Sequence, residues 1–240
     1  MKTLIHKAKD RGHADHGWLQ ANHSFSFANY FDKDKIEFGA LRVLNDDTIA
    51  PKMGFGVHPH DNMEIITIPL SGVLKHRDSM NEKWQQVLSG EVQVMSAGTG
   101  VQHSEINGSV DGSLSLFQIW IIPNKRNVEP QYGQKAFNPK DRKNKLQILV
   151  TSVKDLHEGS LKIHQDVILS RIDLDKDHSF KYQLKSDHHG VYAMIIAGEA
   201  VIANENLQSR DAIGISETDH FAITATETSE ILLIEVPMHV

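Results

Sequence analysis

Two short motifs in this 240-residue chain carry side chains able to hold a metal ion. One is His58-Pro59-His60, inside GFGVHPHDNMEIITIPLSG; the other is His103-Ser104-Glu105, inside SAGTGVQHSEIN. Residues two apart on a strand face the same side of a sheet. His58 and His60 therefore aim together, and so do His103 and Glu105. If the two strands are neighbours with both pairs facing inward, three imidazoles and one carboxylate converge. Three nitrogens and one oxygen suit a divalent first-row ion such as Fe(II), Cu(II), Mn(II), Ni(II) or Zn(II). Four ligands from one side leave positions open for a substrate or O2. The chain has 15 histidines, enough for about one His-x-His by chance, so that pair alone is weak and the weight lies in order and spacing.

The elements that must position these pairs read as strands. Phe38–Leu44, Gly56–Ile68, Glu91–Met95, Leu114–Ile122, Leu146–Thr151, Tyr192–Ile196 and Ile231–Val236 are rich in Val, Ile, Phe and Trp. Gly, Pro, Asn, Asp or Ser bound them. No long segment carries a helical apolar period, and a short helix is expected only around Lys154–Gly159. Many short strands without alternating helices predict an all-β sandwich or barrel. Pro123, Pro130 and Pro139 mark a polar crossing between halves. A faint echo on either side of it (EIITIPLSGVL against VYAMIIAGEAVI) is what a duplicated barrel shows.

Composition narrows the function classes. The chain lacks cysteine, which removes thiolate chemistry, disulfides and Cys-based metal sites. The net charge of −6 argues against direct nucleic-acid binding, because a duplex binder needs a basic face. The one basic cluster, Lys140 to Lys145, reads as a solvated linker. No apolar run is long enough to span a membrane, and the polar N-terminus predicts a cytoplasmic protein.

Six stretches resemble the pirin family, and more closely the bacterial pirin-like proteins tested as quercetin dioxygenases. They are DHGWLQANHSFSFANYFD, FGALRVLNDDTI, FGVHPHDNMEIITIPLSG, HRDSM, MSAGTGVQHSE and QIWIIP, and they cover residues 15–123 almost continuously. The resemblance implies an all-β bicupin, two jelly-roll-like β-barrels in one chain. Residues 1–130 would form a metal-binding cupin, 131–145 the crossing, and 146–240 a divergent metal-free cupin. It implies that His58, His60, His103 and Glu105 ligate a single divalent ion. Fe(II) is the leading expectation, with Cu, Mn, Ni, Co or Zn as alternatives. Glu105 would also act as the catalytic base. The implied reaction is opening of a flavonol ring such as that of quercetin with O2, by a monomer. The alternative is a metal- or redox-sensing regulatory protein that binds transcription or metabolic proteins.

The remaining polar residues are weighed against ordinary structural roles. Glu64 and Asn107 either orient a ligand imidazole or serve the fold. His13, His16 and His23 either approach the pocket mouth or satisfy turns. His76 is expected to order a loop with Asp78. His6, His157, His164, His178 and His239 are expected on the surface. In the second half, His188 and His189 are adjacent and cannot share an ion. His220 is followed two residues on by Ala222 rather than a carboxylate.

Overall fold

The computed structural model describes residues 1–155 and 157–239. Its first half runs through β1 (Lys2–His6), β2 (Gly12–Asp15), β3 (Leu19–His23), β4 (Leu41–Ile49), β5 (Gly54–His60), β6 (Glu64–Ser71), β7 (Val73–Asp78), β8 (Gln85–Leu88), β9 (Glu91–Ser96), β10 (Val101–Asn107), β11 (Leu114–Ile121) and β12 (Gln131–Ala136). The second half adds β13 (Gln147–Ser152), β14 (Leu161–Ile163), β15 (Ile168–Leu174), β16 (Ser179–Gln183), β17 (His189–Ala197), β18 (Glu199–Ile202), β19 (Glu205–Gln208), β20 (Ala212–Ser216), β21 (His220–Ala225) and β22 (Ser229–Pro237). Helical content among the described residues is limited to two single 3-10 turns. No helix there is long and apolar enough to cross a membrane.

Each half pairs a seven-stranded sheet with a four-stranded one, an open jelly-roll-like sandwich rather than a closed barrel. The first half has order β12-β9-β6-β11-β4-β3-β2 facing β5-β10-β7-β8; the second has β1-β20-β17-β22-β15-β13-β14 facing β16-β21-β18-β19. The two large sheets contribute to one buried cluster between the halves. Leu44, Ile66, Ile68, Phe117 and Ile119 come from the first, and Leu169, Tyr192, Met194, Leu232 and Ile234 from the second. The central strands are thus buried on both faces, which explains runs such as EIITIPL and ILLIEV that lack alternation. Fully burying each such side chain contributes about 1.5–3 kcal/mol.

Two strands depart from the simple division of the chain. β1 pairs with β20 in the second-half sheet, and its His6 is buried against the hydroxyl of Tyr192, 2.8 Å away. His6 is therefore a core residue rather than a surface one. β12, within the expected crossing, pairs with β9 in the first-half sheet. The basic cluster beyond it is not purely solvated, since Arg142 is buried in an ion pair with Asp173 at 2.8 Å. The strand expected over Gly56–Ile68 breaks at residues 61–63, where Asn62 takes a φ of 46° and the chain passes from the small sheet to the large one. The helix expected around Lys154–Gly159 includes residue 156, which lies outside the described residues; those on either side of it form turns.

The interiors of the two sandwiches differ. The second is filled by apolar side chains, among them Leu174, Val191, Ile195, Ile202, Leu207 and Phe221. The first has an apolar plug at each end, around Leu74 and Leu116 and around Ile65 and Met95. Between the plugs runs a polar row fixed by register. His23 faces Asn45, Asn45 faces Gln118, Gln118 faces Thr67, and Thr67 faces Gln93.

Candidate metal centre

β5 and β10 lie side by side in the small sheet, and register sets His103 directly opposite His58, with His60 opposite Val101. A bulge between His103 and Glu105 shifts β10 against β5. The Nε2 atom of His103 stands 2.8 Å from that of His58 and 2.9 Å from that of His60. Among the described residues these three form a group whose ligating atoms all lie within 4.8 Å of one another.

The protonation logic favours a cation at their centre. His58 Nδ1 lies 2.8 Å from the carbonyl oxygen of Gly56. A carbonyl oxygen only accepts, so the ring proton sits on Nδ1 and the Nε2 lone pair points inward. One His103 nitrogen cannot satisfy two neighbouring nitrogens with a single proton or lone pair. An ion accepts all three lone pairs at once. Ligands about 2.1 Å from an ion and at right angles lie about 3.0 Å apart, close to the spacing observed. Burial, then the charge of His58, pulls His60 down to about 4. Burial, then His58, His60 and His76, pulls His103 down to about 2. Both imidazoles are neutral near pH 7, as ligation requires.

Glu105 lines the same cavity but stands outside the three-imidazole group. Its Oε2 accepts a hydrogen bond from Gln118 Nε2 at 3.1 Å, and Gln118 Oε1 accepts from Thr67 Oγ1 at 3.2 Å. Its Oε1 is buried with no protein partner. Burial raises its carboxyl to about 7, with the Gln118 bond opposing the rise. That unpartnered oxygen lines the same cavity as the three imidazoles, and nitrogen and oxygen donors of these kinds suit a divalent ion.

The cavity above these groups measures about 510 Å³, within the range of small-molecule sites. Trp18, Phe27, Phe55, Val57 and Trp120 contribute its walls, and Asn45, Asp47 and Gln118 its polar floor. The Trp120 ring meets His60 edge-on at 4.9 Å and Phe27 at 5.3 Å.

Other expected candidates fall elsewhere. Glu64 is buried on a bond from Ser96 Oγ at 2.5 Å, beyond the Asn62 turn and on the same side of its strand as the inter-sheet residue Ile66. Asn107 ties a loop through the carbonyls of Ile49 and Gly112. Of the apolar residues near the two motifs, Met53 is exposed and Phe117 faces the inter-sheet core, whereas Phe55 and Trp120 line the cavity. His23 bonds Asn45 at 2.8 Å, and it borders a neighbouring cavity together with His13 and His16. His76 does not order a loop. It is fully buried, 3.8 Å from the Asp78 carboxylate and stacked on Tyr132, with its ring 5.3 Å from that of His103. Asp78 itself accepts from the Met80 and Asn81 amides. His164 is half-buried, while His157, His178 and His239 are exposed. In the second half His189 is buried on Glu235 at 3.1 Å, and His220 is exposed. The sequence alone does not mark Asn45, Asp47 and Gln118, because only strand register shows that they face this cavity.

Comparison with known proteins agrees with this architecture. The family model described as Pirin matches residues 5–121, and that of the quercetinase C-terminal cupin domain matches residues 149–236. A protein named quercetin 2,3-dioxygenase from Escherichia coli strain K12 is 43% identical over 97% of this chain and 98% of its own length. A pirin-like protein from Caulobacter vibrioides is 40% identical over 93% of this chain and 95% of its own. The crystal structure of the bacterial pirin YhhW from Escherichia coli in complex with nickel(II) superposes with a TM-score of 0.93 at 40% identity, covering 100% of both chains. With two matching family models and relatives similar along nearly its whole length, this bicupin chain belongs to the pirin family.

Proposed function

We propose that this protein is a metal-dependent dioxygenase that opens the heterocyclic ring of flavonols such as quercetin with O2. The convergence of three Nε2 atoms at 2.8 and 2.9 Å on the floor of an aromatic-walled cavity carries the reading. The relatives named quercetin 2,3-dioxygenase support the substrate class. His58, His60, His103 and Glu105 would hold one divalent ion, with Fe(II) as the proposed native metal. Such an ion supplies Lewis acidity, which lowers the pKa of a hydroxyl bound to it.

The protein's own groups do the rest. Glu105 accepts the proton of the flavonol 3-hydroxyl and later returns it to the product. Gln118, held by Thr67, keeps the Glu105 carboxyl turned toward the cavity. Trp18, Phe55 and Trp120 flank a planar ring system and keep water from it. Both atoms of O2 enter the products as the central ring opens to an ester, and one ring carbon leaves as carbon monoxide.

The test is O2 consumption with quercetin by the metal-loaded protein and by His58→Ala. The variant is expected at the protein-free background. Equal rates would remove the imidazole group from the chemistry. Retention of the metal with no turnover of any flavonol would favour the regulatory, metal-sensing reading instead.

A further inference from the structure

A buried carboxyl on the cavity floor has no role in the reading above. Asp47, on β4, is 4% exposed, yet it lines the cavity with Glu105 and Gln118. Register sets it between Ala21 of β3 and Leu116 of β11, and neither side chain offers a hydrogen bond. Its Oδ1 is fully buried without a protein partner. At the adjoining end of the sandwich Leu19, Leu74 and Leu116 pack in an apolar cluster. A core built only for stability would place an apolar side chain at this position, because an unpaired buried polar group is costly. Neighbouring Asp46, by contrast, is satisfied by Arg11 and Arg210.

We infer that Asp47 is a second anchor for the ligand, hydrogen bonding a hydroxyl carried elsewhere than the oxygens that approach the imidazoles. The preferred ligand is then a planar aromatic with at least two separated oxygen functions. This inference rests on the dioxygenase reading and adds a specificity residue to it. Burial, then the charges of Asp46 and Glu105, raises the Asp47 carboxyl to about 8. Its carboxyl can accept a hydrogen bond from a ligand hydroxyl in either protonation state, and can donate one when protonated. A site that hydrogen bonds a ligand hydroxyl discriminates against the analogue lacking it, because the buried group is again left unpaired.

The experiment measures binding of quercetin and of 3-hydroxyflavone, which lacks the outer hydroxyls, to metal-loaded wild type, Asp47→Leu and Asp47→Asn. Bound metal is measured for each. In Asp47→Leu the preference for quercetin is expected to fall on the order of tenfold, with metal content retained. Asp47→Asn keeps a donor and should retain most of the preference. An unchanged preference in Asp47→Leu overturns the inference and leaves the dioxygenase reading standing. A loss of preference accompanied by loss of metal assigns Asp47 to the metal cage and also overturns it. If wild type binds neither flavonol, the dioxygenase reading fails and the anchor falls with it.

Discussion

Replacing Glu105 by Gln separates the cost of the metal cage from its use. In the metal-free protein burial raises this carboxyl from its ordinary 4.5 to about 7. Each pKa unit is worth about 1.4 kcal/mol, so holding Glu105 ionised in the fold costs about 3 kcal/mol. The sign follows from proton counting. Between pH 4.5 and 7 the native state binds more protons than the unfolded state at this position, so the contribution of Glu105 to stability is full below 4.5 and lost as pH rises through 7. Gln does not titrate. Whatever fixed hydrogen-bonding penalty it carries cancels when its stability relative to wild type is compared at two pH values. Urea unfolding of chelator-treated wild type and Glu105→Gln at pH 5 and pH 8 should show the variant gaining about 2.5 kcal/mol relative to wild type at the higher pH. With the divalent ion bound, the ion's charge favours the carboxylate and the gain should disappear. A stability difference that is the same at both pH values without metal would refute the claim that this fold holds a carboxylate in wait for a cation.

Three further outcomes follow from the same geometry. Near pH 6 metal binding should release about one proton from Glu105 and none from His60 or His103, which burial keeps neutral; titration in buffers of different ionisation enthalpy should show that proton lost in Glu105→Gln. His103→Ala should weaken metal affinity beyond the roughly 10–100-fold that outer partners of a ligand are worth, read by competition with a chelating dye. Gly54→Ala should destabilise the fold by about 1–3 kcal/mol and lower metal retention, because its Cβ would clash with the Glu105 carbonyl oxygen and lie 2.5 Å from Ile106 Cα; unaltered melting and retention would show that β5 and β10 can part without cost to the site.

The imidazole group was legible in the sequence because a strand's two-residue period is local. His58, Pro59 and His60 declare a shared face without any knowledge of neighbours. The same period could not show how close Glu105 comes, since the bulge between His103 and Glu105 depends on β5. Nor could it place Asn45, Asp47 or Gln118. These lie on β4 and β11, and which face looks inward depends on a second half that covers the other face with apolar side chains. His6 was misplaced for a similar reason, because β1 crosses to the second-half sheet and only that pairing buries it. The break at Asn62 is hidden because Asp61, Asn62 and Met63, which join two extended segments directly, include no Gly or Pro to signal a turn. The all-β bicupin architecture itself needed only strand-like composition, turn punctuation and the family resemblance.

One divalent ion gripped by His58, His60, His103 and Glu105 is the proposal on which the rest depends. Elemental analysis after loading with Fe(II) or Ni(II) and desalting, on wild type and on each of the four single Ala variants, tests it directly. About one ion per wild-type chain and a large loss in each of the four variants are expected. Variants at positions 58, 60, 103 or 105 that keep as much metal as wild type would contradict the proposal.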